Sequence, residues 1–433
     1  MADTKNVLVI GSGGREHALT WKLLQDPNVQ VYVAPGNAGT SAEPNAYNID
    51  LAAKPENFAK IAEFIKDKDI SMVVVGPEDP LDKGIVDYLA KGGYHNVIGP
   101  AQNAAQLESD KFFSFDVMGA VGIPQAEGVK CYSTQEAIDF IRSGRFEQPV
   151  LKARGLTGGK GVTVCSSIDE ALAEITGHAS SYGEHVLVSK KLYGQEFSVF
   201  GLSDGERVRI LNAAFQDHKP RDNGDTGVNT GGMGAYGPAP IATLDDLKEA
   251  EFIMNRLVTK MHQDGIPYKN AWLYGGFMKT EEGIKVIEWN IRFGDPECQP
   301  AMMIMNGDLY TVHDLTLKGG LHEADLSVRP GYSTCVVMAA PTYPTSGSKG
   351  KLIKGLAEVA GMPGVKVFHA GTARNEDGEV VTNGGRILGV TSYDADFMRS
   401  QELAYRAKRV IIIEGGSHSR DDVGDKAHAL LRN

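Results

Sequence analysis

Apolar and polar positions along the first hundred residues follow two different periods. Short apolar runs at 6–10 and 72–75 are typical of buried strands, whereas the segment 58–65 has apolar residues at helical spacing. The other elements predicted here are strands at 29–34 and 97–98 and one helix that contains Leu81, Ile85 and Leu89. Strands that alternate with helices form parallel sheets, with binding sites at the carboxyl edge. We therefore predict an N-terminal parallel-sheet domain over residues 1–103.

A β-hairpin is predicted at 273–296. Two apolar runs, 273–278 and 284–291, flank a Glu-Glu-Gly turn. Side chains alternate between the two faces of a strand, so Glu288 and Asn290 should lie side by side, while the residues between and before them point the other way.

The middle of the chain predicts a helix followed by a glycine-rich hairpin. Residues 104–120 predict one helix with Lys111 near its middle, which a Gly-Ile-Pro sequence ends. Farther on, the loop 154–161 joins the strands 150–153 and 162–165 instead of opening a helix. We expect this loop to belong to a mobile lid, at about 124–194, within a central domain of residues 104–330.

The segment 215–240 is rich in glycine, proline and polar residues, so it could be a disordered linker. Apolar residues lie beside its charged ones, and we therefore favour an ordered substrate loop. Beyond it, strands at 334–340, 365–370 and 386–390 and a helix at 395–409 predict an α/β packing domain over 331–433. We expect this C-terminal domain to close one wall of the site, with residues 383–386 at the rim.

Composition narrows the class of protein. The chain has 433 residues, of which 42% are apolar, enough for about three domains. We find no apolar run as long as a membrane helix, and residues 1–5 are too polar to begin a signal peptide. Four well-separated cysteines predict reduced thiols, and the net charge of −11 argues against nucleic-acid or anionic-membrane partners. We expect a cytoplasmic protein that is a monomer or a weak dimer.

The turn after the first strand is a candidate phosphate site. Gly13 and Gly14 lead into a helix, and the free amides at a helix start bind anions. A dinucleotide fingerprint is disfavoured, because Glu16 stands at its third glycine position and no acid for a ribose follows the second strand.

The loop 154–161 is a second candidate phosphate site. It does not match the P-loop pattern, because Arg154 and Gly161 stand where a glycine and a Ser or Thr belong. We interpret it as a flexible hairpin over phosphates, with Lys152 and Lys160 as charge partners. An ordinary glycine-rich hairpin is the alternative.

Glu288 and Asn290 are candidate metal ligands. A carboxylate and an amide oxygen on one face of a strand suit Mg²⁺, which proteins usually hold by one or two groups plus the phosphates of a nucleotide. A strand end with solvated polar residues is the alternative.

Several motifs together make the chain similar to a known family. The lysine helix, the VLKA strand with its GGKGV loop, the GQEFS strand from Gly194 and the Glu-x-Asn hairpin resemble the ATP-grasp enzymes. The motifs GSGGREHAL from Gly11, APGNAGT from Ala34, GDTGVNTGGMGAY from Gly224 and EWNIRFGDPECQP from Glu288 resemble the glycinamide ribonucleotide synthetase family over essentially the whole chain.

The resemblance implies an ATP-dependent ligase of purine biosynthesis, which joins glycine to 5-phosphoribosylamine through glycyl phosphate and releases ADP and phosphate. It implies Mg²⁺ or Mn²⁺ on Glu288 and Asn290, and catalytic roles for Arg292 and Asp295. The implied ATP contacts are Lys111, Lys152, Gly158, Gly159, Lys160, Leu192 and Glu196. The implied substrate contacts are Gly13, Gly14, Arg15, Asn37, Glu78, Asp217 and Lys219.

Two departures from the family pattern keep alternatives open. Arg154 stands where the family commonly has an acid, and Lys190 and Lys191 replace an acidic pair. We expect Arg154 to face the nucleotide. The alternatives are a different ATP-grasp carboxylate–amine ligase or carboxylase, and a non-catalytic nucleotide-binding module.

Overall fold

The computed structural model describes residues 4–158 and 160–431. Its first part is a five-stranded parallel sheet in the order β3-β2-β1-β4-β5, which confirms the predicted N-terminal fold. The elements of this part are β1 (Lys5–Gly11), α1 (Gly14–Leu23), β2 (Val29–Pro35), β3 (Ala46–Asn48), α2 (Phe58–Asp67), β4 (Ile70–Val75), α3 (Glu78–Asp82), α4 (Ile85–Lys91) and β5 (Val97–Ile98).

Two helices predicted as continuous are each broken in two, so those predictions are wrong. The first break, between α3 and α4, is at Gly84, whose φ of 79° is left-handed. The second separates α5 (Gln102–Ser109) from α6 (Lys111–Ala120) at Asp110, where the backbone is extended and the carboxylate accepts from the backbone N–H groups of Phe112 and Phe113. Because Asp110 caps a new helix, Lys111 is at a helix start rather than mid-helix.

A four-stranded antiparallel sheet follows, in the order β6-β9-β7-β8. Its elements are β6 (Gly128–Cys131), α7 (Thr134–Arg142), β7 (Pro149–Ala153), β8 (Val162–Val164), α8 (Ile168–Tyr182) and β9 (Val186–Lys190). The glycine-rich loop joins β7 to β8. This unit has a separate apolar core that includes Ile141, Leu151 and Ile175. It lies within the predicted lid, and its mobility stays a prediction.

The remaining elements continue to residue 431. The central ones are β10 (Gln195–Asp204), β11 (Val208–Asp217), β12 (Pro220–Asp222), β13 (Thr226–Asn229), β14 (Gly234–Gly237), α9 (Leu244–Gln263), β15 (Lys269–Thr280), β16 (Gly283–Asn290), α10 (Cys298–Ile304) and α11 (Leu309–Leu317). The last are β17 (Tyr332–Ala339), β18 (Ser348–Lys354), α12 (Leu356–Ala360), β19 (Val365–His369), β20 (Thr372–Arg374), β21 (Val380–Gly384), β22 (Arg386–Asp394), α13 (Phe397–Val410), β23 (Ile412–Ile413) and α14 (Asp425–Leu431).

One eight-stranded sheet crosses the predicted domain limit at residue 331. Its order is β16-β15-β10-β11-β14-β17-β22-β19, and its pairings are antiparallel. The predicted hairpin is its β15–β16 edge. The segment 215–240 is ordered and supplies β14 as well as the small β12–β13 hairpin. The C-terminal part therefore extends the central sheet through β14 and β17, and the predicted domain limits themselves stay predictions.

The first sheet and the central sheet share an apolar core. Met72 and Val74 of β4 belong to the same buried cluster as Phe200, Trp272 and Phe293 of the central part. This packing fixes the carboxyl edge of β4 beside the end of β16. In the described part of the chain, no helix is both long and apolar enough to cross a membrane.

The separate core of the four-stranded unit leads to a stability prediction. Replacing the fully buried Ile175 by alanine should cost about 2–5 kcal/mol within this unit, because it leaves a cavity in a small core. Hydrogen exchange should then speed up within 124–194 and remain unchanged in the eight-stranded sheet. The matched variant Ile253→Ala, in α9, should instead raise exchange in the central sheet. Equal acceleration everywhere in Ile175→Ala would show that the unit does not open separately.

Candidate active site

The two predicted metal ligands lie on one face at the end of β16. Burial alone would raise the pKa of Glu288, but the positive charges of Lys219, Lys111, Lys152 and Arg292 outweigh it and lower this pKa to about 2. Glu288 is therefore ionised at neutral pH. Among the described residues no group of three or more His, Cys, Asp or Glu could hold a metal, so an ion here would take further ligands from phosphate or water. The donor set fits Mg²⁺ on those terms.

Lys219 connects the hairpin to the neighbouring strand. Its Nζ lies 3.4 Å from Glu288 Oε1 and 3.4 Å from Glu196 Oε2. Burial would lower the pKa of Lys219, but the charges of Glu288 and Glu196 raise it well above its ordinary value. The ammonium therefore stays charged beside the candidate metal ligand.

Arg292 is held by two carboxylates from different parts of the chain. Its Nε donates to Glu78 at 3.1 Å and its Nη2 to Glu108 at 2.8 Å. The second oxygen of Glu108 accepts from the backbone N–H of Ile291 at 2.7 Å. Glu108 was missed in the sequence, because a lone glutamate on a helix gives no sign of its partner. Arg292 thereby lies beside the candidate metal pair, and Nη2 also reaches Asn290 Oδ1 at 3.5 Å.

Lys111 and Lys152 supply positive charge near Glu288 and have no acidic partner at ion-pair distance among the described residues. The Nζ of Lys152 donates to the carbonyl of Ile287 at 3.1 Å. Burial lowers its pKa to about 8, although the charge of Glu288 opposes this shift. Two lysines without an acidic partner, beside a carboxylate that is a candidate metal ligand, are suited to bind phosphate oxygens.

The other residues predicted to contact ATP lie on β10, in the β7–β8 loop and in the segment between β9 and β10. Glu196 is on β10 beside Lys219, and Leu192 lies between β9 and β10. Gly158 has a left-handed φ of 60° in the β7–β8 loop. Lys160 is exposed, and its Nζ reaches the carbonyl of Pro344 at 3.5 Å. Gly159 lies outside the described residues, so its predicted contact with ATP stays a prediction.

Arg154 is bound to the cap of α6. Its Nε lies 3.0 Å from both oxygens of Asp110 and its Nη2 2.6 Å from one of them, while Nη1 contacts His185 Nδ1 at 3.2 Å. The backbone N–H of Lys111 also donates to the carbonyl of Arg154 at 2.8 Å. The guanidinium is therefore committed to the helix start that carries Lys111, and a direct nucleotide contact stays a prediction.

A cavity of about 650 Å³ lies between the first sheet and the C-terminal part. Its walls come from the turns after β1 and β2 and from the segments around β20 and β21. They include Ser12, Gly13, Asn37, Asn48, Asp295, Gly371, Thr372, Arg374, Asn383 and Arg386. Residues 383–386 line it, and their role as the rim of a substrate site stays a prediction.

The predicted glycine-turn residues have different surroundings. Gly13 lines the cavity, but its N–H donates to Glu16 at 2.6 Å. A Cβ on Gly14 would meet Gln299 Nε2 at 2.5 Å, so this glycine allows close packing of α1 on α10. The Arg15 side chain is buried and donates to Glu16 and to the carbonyl of Phe293, outside the cavity.

Asn37 and Asp295 are structural parts of the cavity wall. The amide of Asn37 donates to the carbonyls of Ser12 and His369, which joins the first domain to the C-terminal part. Asp295 pairs with Arg386 at 3.4 Å and accepts from Gln299 at 2.8 Å. Burial would raise the pKa of Asp295, but these partners lower it, so it is ionised at the cavity wall.

Two further carboxyls lie at the ends of elements of the central part. Asp217 ends β11, and Glu297 precedes α10 and is 4% exposed. Burial and then the charge of Asp217 raise the pKa of Glu297 to about 7. Glu297 lies within the EWNIRFGDPECQP motif and has no predicted role in the sequence analysis.

Comparison with known proteins gives matches along nearly the whole chain. The phosphoribosylglycinamide synthetase N domain matches residues 5–108, the ATP-grasp (A) domain of the same family residues 109–298, and its C domain residues 333–426.

Individual relatives agree with these matches. The phosphoribosylamine–glycine ligase of Rhodopirellula baltica is 43% identical over 436 residues, which covers 98% of each chain. A crystal structure of phosphoribosylamine–glycine ligase from Thermotoga maritima superposes with a TM-score of 0.80 at 28% identity, covering 96% of this chain and 99% of that one. A second similar structure is the biotin carboxylase domain of a Hydrogenobacter thermophilus 2-oxoglutarate carboxylase, determined with MgADP and bicarbonate. Its TM-score is 0.73 at 18% identity, and the match covers 97% of this chain and 92% of that one. A likeness at this identity shows the fold alone. The chain belongs to the phosphoribosylglycinamide synthetase family.

Proposed function

We propose that this chain is an ATP-dependent phosphoribosylamine–glycine ligase. The relatives that match it from end to end have this name, and its own residues supply what the reaction needs. The observation that carries the proposal is the set of side chains around β16. Two lysines without acidic partners, the two candidate metal ligands, and an arginine paired with two carboxylates adjoin a cavity at the edge of the first sheet.

ATP and a divalent cation would be bound on the hairpin side. Glu288 and Asn290 would hold Mg²⁺ or Mn²⁺, and Lys111 and Lys152 would neutralise phosphate charge. When bound, the metal supplies charge neutralisation at the phosphates during transfer. Glu196, Leu192 and the β7–β8 loop with Lys160 would surround the rest of the nucleotide.

Glycine's carboxylate is a poor electrophile, so it must be activated first. One of its oxygens attacks the terminal phosphorus of ATP, the bond to ADP breaks, and glycyl phosphate forms. The protein's part is to orient the two anions and offset their repulsion. Arg292 is suited to this, because its guanidinium is fixed by Glu78 and Glu108 beside the hairpin.

In the second step the amine of 5-phosphoribosylamine attacks the acyl carbon. The carbon–nitrogen bond forms, phosphate leaves, and the amine loses a proton. The sugar phosphate would occupy the cavity between the first sheet and the C-terminal part, where Arg374 and Arg386 supply positive charge and Asn37 shapes the wall. Asp295 would hold Arg386 in place at the wall of the cavity that faces the hairpin.

The direct test measures phosphate released from ATP with glycine and freshly generated phosphoribosylamine, each omitted in turn. We expect release only with both present. Release with bicarbonate instead of glycine would favour a carboxylase, the fold-level alternative. ATP binding without release under any of these conditions would indicate a nucleotide-binding module.

We predict that Glu288→Gln keeps the fold and loses activity by at least about 100-fold, because a neutral oxygen is a weaker metal ligand. Steady-state rates over a Mg²⁺ titration check this, with thermal unfolding as the measure of folding. The control Glu282→Gln removes a carboxylate from the exposed turn of the same hairpin and should leave activity unchanged. Normal turnover of Glu288→Gln at limiting Mg²⁺ would refute the metal assignment.

We also predict that Arg374→Ala raises the apparent KM for phosphoribosylamine about 10-fold or more, since one charge-assisted contact to the sugar phosphate would be lost. The KM for ATP should not change, because Arg374 lines the cavity beside the first sheet and ATP is proposed to bind on the hairpin side. Arg406→Ala, an exposed charge removed from α13, is the matched control. A larger effect on ATP than on phosphoribosylamine would mean that the two sites have been exchanged.

A further inference from the structure

The start of helix α6 is held by the loop that follows β7. Free backbone N–H groups at a helix start need acceptors, and the first three of α6 each have one. The N–H of Lys111 donates to the carbonyl of Arg154 at 2.8 Å. The N–H groups of Phe112 and Phe113 donate to Asp110 Oδ1 at 2.9 and 3.2 Å. Arg154 therefore supplies part of the helix cap from 44 residues farther along the chain.

The side chain of Arg154 also holds the cap residue. Its Nε lies 3.0 Å from both oxygens of Asp110, and its Nη2 lies 2.6 Å from Oδ2. A planar guanidinium that meets a carboxylate through two nitrogens fixes the orientation of that carboxylate as well as its position. Elsewhere on the guanidinium, Nη1 contacts His185 Nδ1 at 3.2 Å, and its central carbon lies 5.2 Å from the centre of the Phe112 ring. Arg154 is therefore held by three neighbours, and it fixes the carboxylate that caps α6.

These contacts bear on the candidate ATP site, because Lys111 is the residue next to the cap. Two residues before Arg154, the Nζ of Lys152 donates to the carbonyl of Ile287 in β16 at 3.1 Å. The end of β7 thus contacts β16 through Lys152 and the start of α6 through Arg154. The two lysines proposed to bind phosphate are held relative to each other by this one segment.

We propose that Arg154 is a positioning residue for ATP, which acts by holding the Asp110 cap and with it the backbone of Lys111. It acts by this route rather than by the direct nucleotide contact expected from the sequence. The assignment rests on the proposed function, in which Lys111 meets the phosphates. A lysine side chain is long and flexible, so its starting point decides how much freedom it loses when it binds. A shifted helix start would raise that cost and weaken ATP binding.

The test measures binding of a non-hydrolysable ATP analogue with Mg²⁺ by calorimetry, in the full chain. Asp110→Asn is the decisive variant, since asparagine caps a helix as well as aspartate does and only the charge of the pair is lost. Arg154→Gln removes the other charge. Each variant should raise the Kd about 3- to 10-fold, the effect of losing an ion pair of this two-nitrogen geometry.

Two combinations of variants identify the route. Asp110→Asn together with Arg154→Gln should raise the Kd no more than either change alone, because both break the same contact. In a Lys111→Ala background, Arg154→Gln should have no further effect, since the lysine that it positions is absent. A side chain that only stabilised the fold would lower the unfolding temperature without this dependence on Lys111.

Asp116→Asn is the matched control. Asp116 lies farther along α6 and pairs with Lys130 of β6 at 2.6 Å. The variant therefore removes another ion pair between α6 and the four-stranded unit and leaves the helix start intact. It should leave the Kd for the analogue unchanged.

Four results would overturn the assignment. The first is tighter or unchanged binding in Asp110→Asn, the result expected if a released Arg154 contacts the nucleotide itself. The others are a double variant whose loss is the product of the two single losses, an effect of Arg154→Gln that persists without Lys111, and equal weakening in Asp116→Asn.

Phosphate release with glycine and phosphoribosylamine, assayed separately, distinguishes this assignment from the proposed function. No release, together with the expected pattern of Kd values, would overturn the ligase activity and leave the positioning role in place. A wild type that does not bind the analogue would overturn both. Thermal unfolding identifies a variant that has not folded, in which case the remaining single variant decides.

Discussion

The guanidinium of Arg292 holds three parts of the chain together. Glu78 opens α3 after the strand β4, Glu108 lies at the end of α5, and Arg292 follows β16. A buried ion pair contributes to stability only when the remaining hydrogen-bonding capacity is also satisfied. That condition is met at Glu108, whose second oxygen accepts from Ile291. The interaction thereby sets the orientation of the hairpin relative to the first sheet.

Much of this arrangement could be predicted from local patterns, because short apolar runs between turn residues indicate strands directly. The β15–β16 hairpin and the parallel sheet are examples. The two broken helices could not be predicted in this way, since the apolar spacing continues across Asp110 and Gly84. At Asp110 the break depends on a side-chain cap, which in turn is paired with Arg154 from the distant loop after β7.

Long-range charge pairing was the main feature that local patterns could not give. The contact between Glu108 and Arg292 and the contact between Arg386 and Asp295 each join segments far apart in sequence. At Arg15 the local pattern and the tertiary contacts point in different directions. A cation in a glycine turn is expected to meet an anionic ligand, and here its side chain donates to Glu16 and to the carbonyl of Phe293, so the ligand contact stays a prediction. The motif indicates which segment lies near the candidate site, whereas the tertiary contacts determine which polar groups of that segment can still bind a ligand.

The eight-stranded sheet also has a consequence for the integrity of the chain. The short strand β14 pairs on one side with β11 and on the other with β17, so the last hundred residues cover an edge of the central sheet. A chain that stopped before β17 would present the unpaired backbone of β14 to solvent, and exposed strand edges recruit other chains. The C-terminal part therefore protects the central sheet from self-association, independently of any contact that it makes with a substrate.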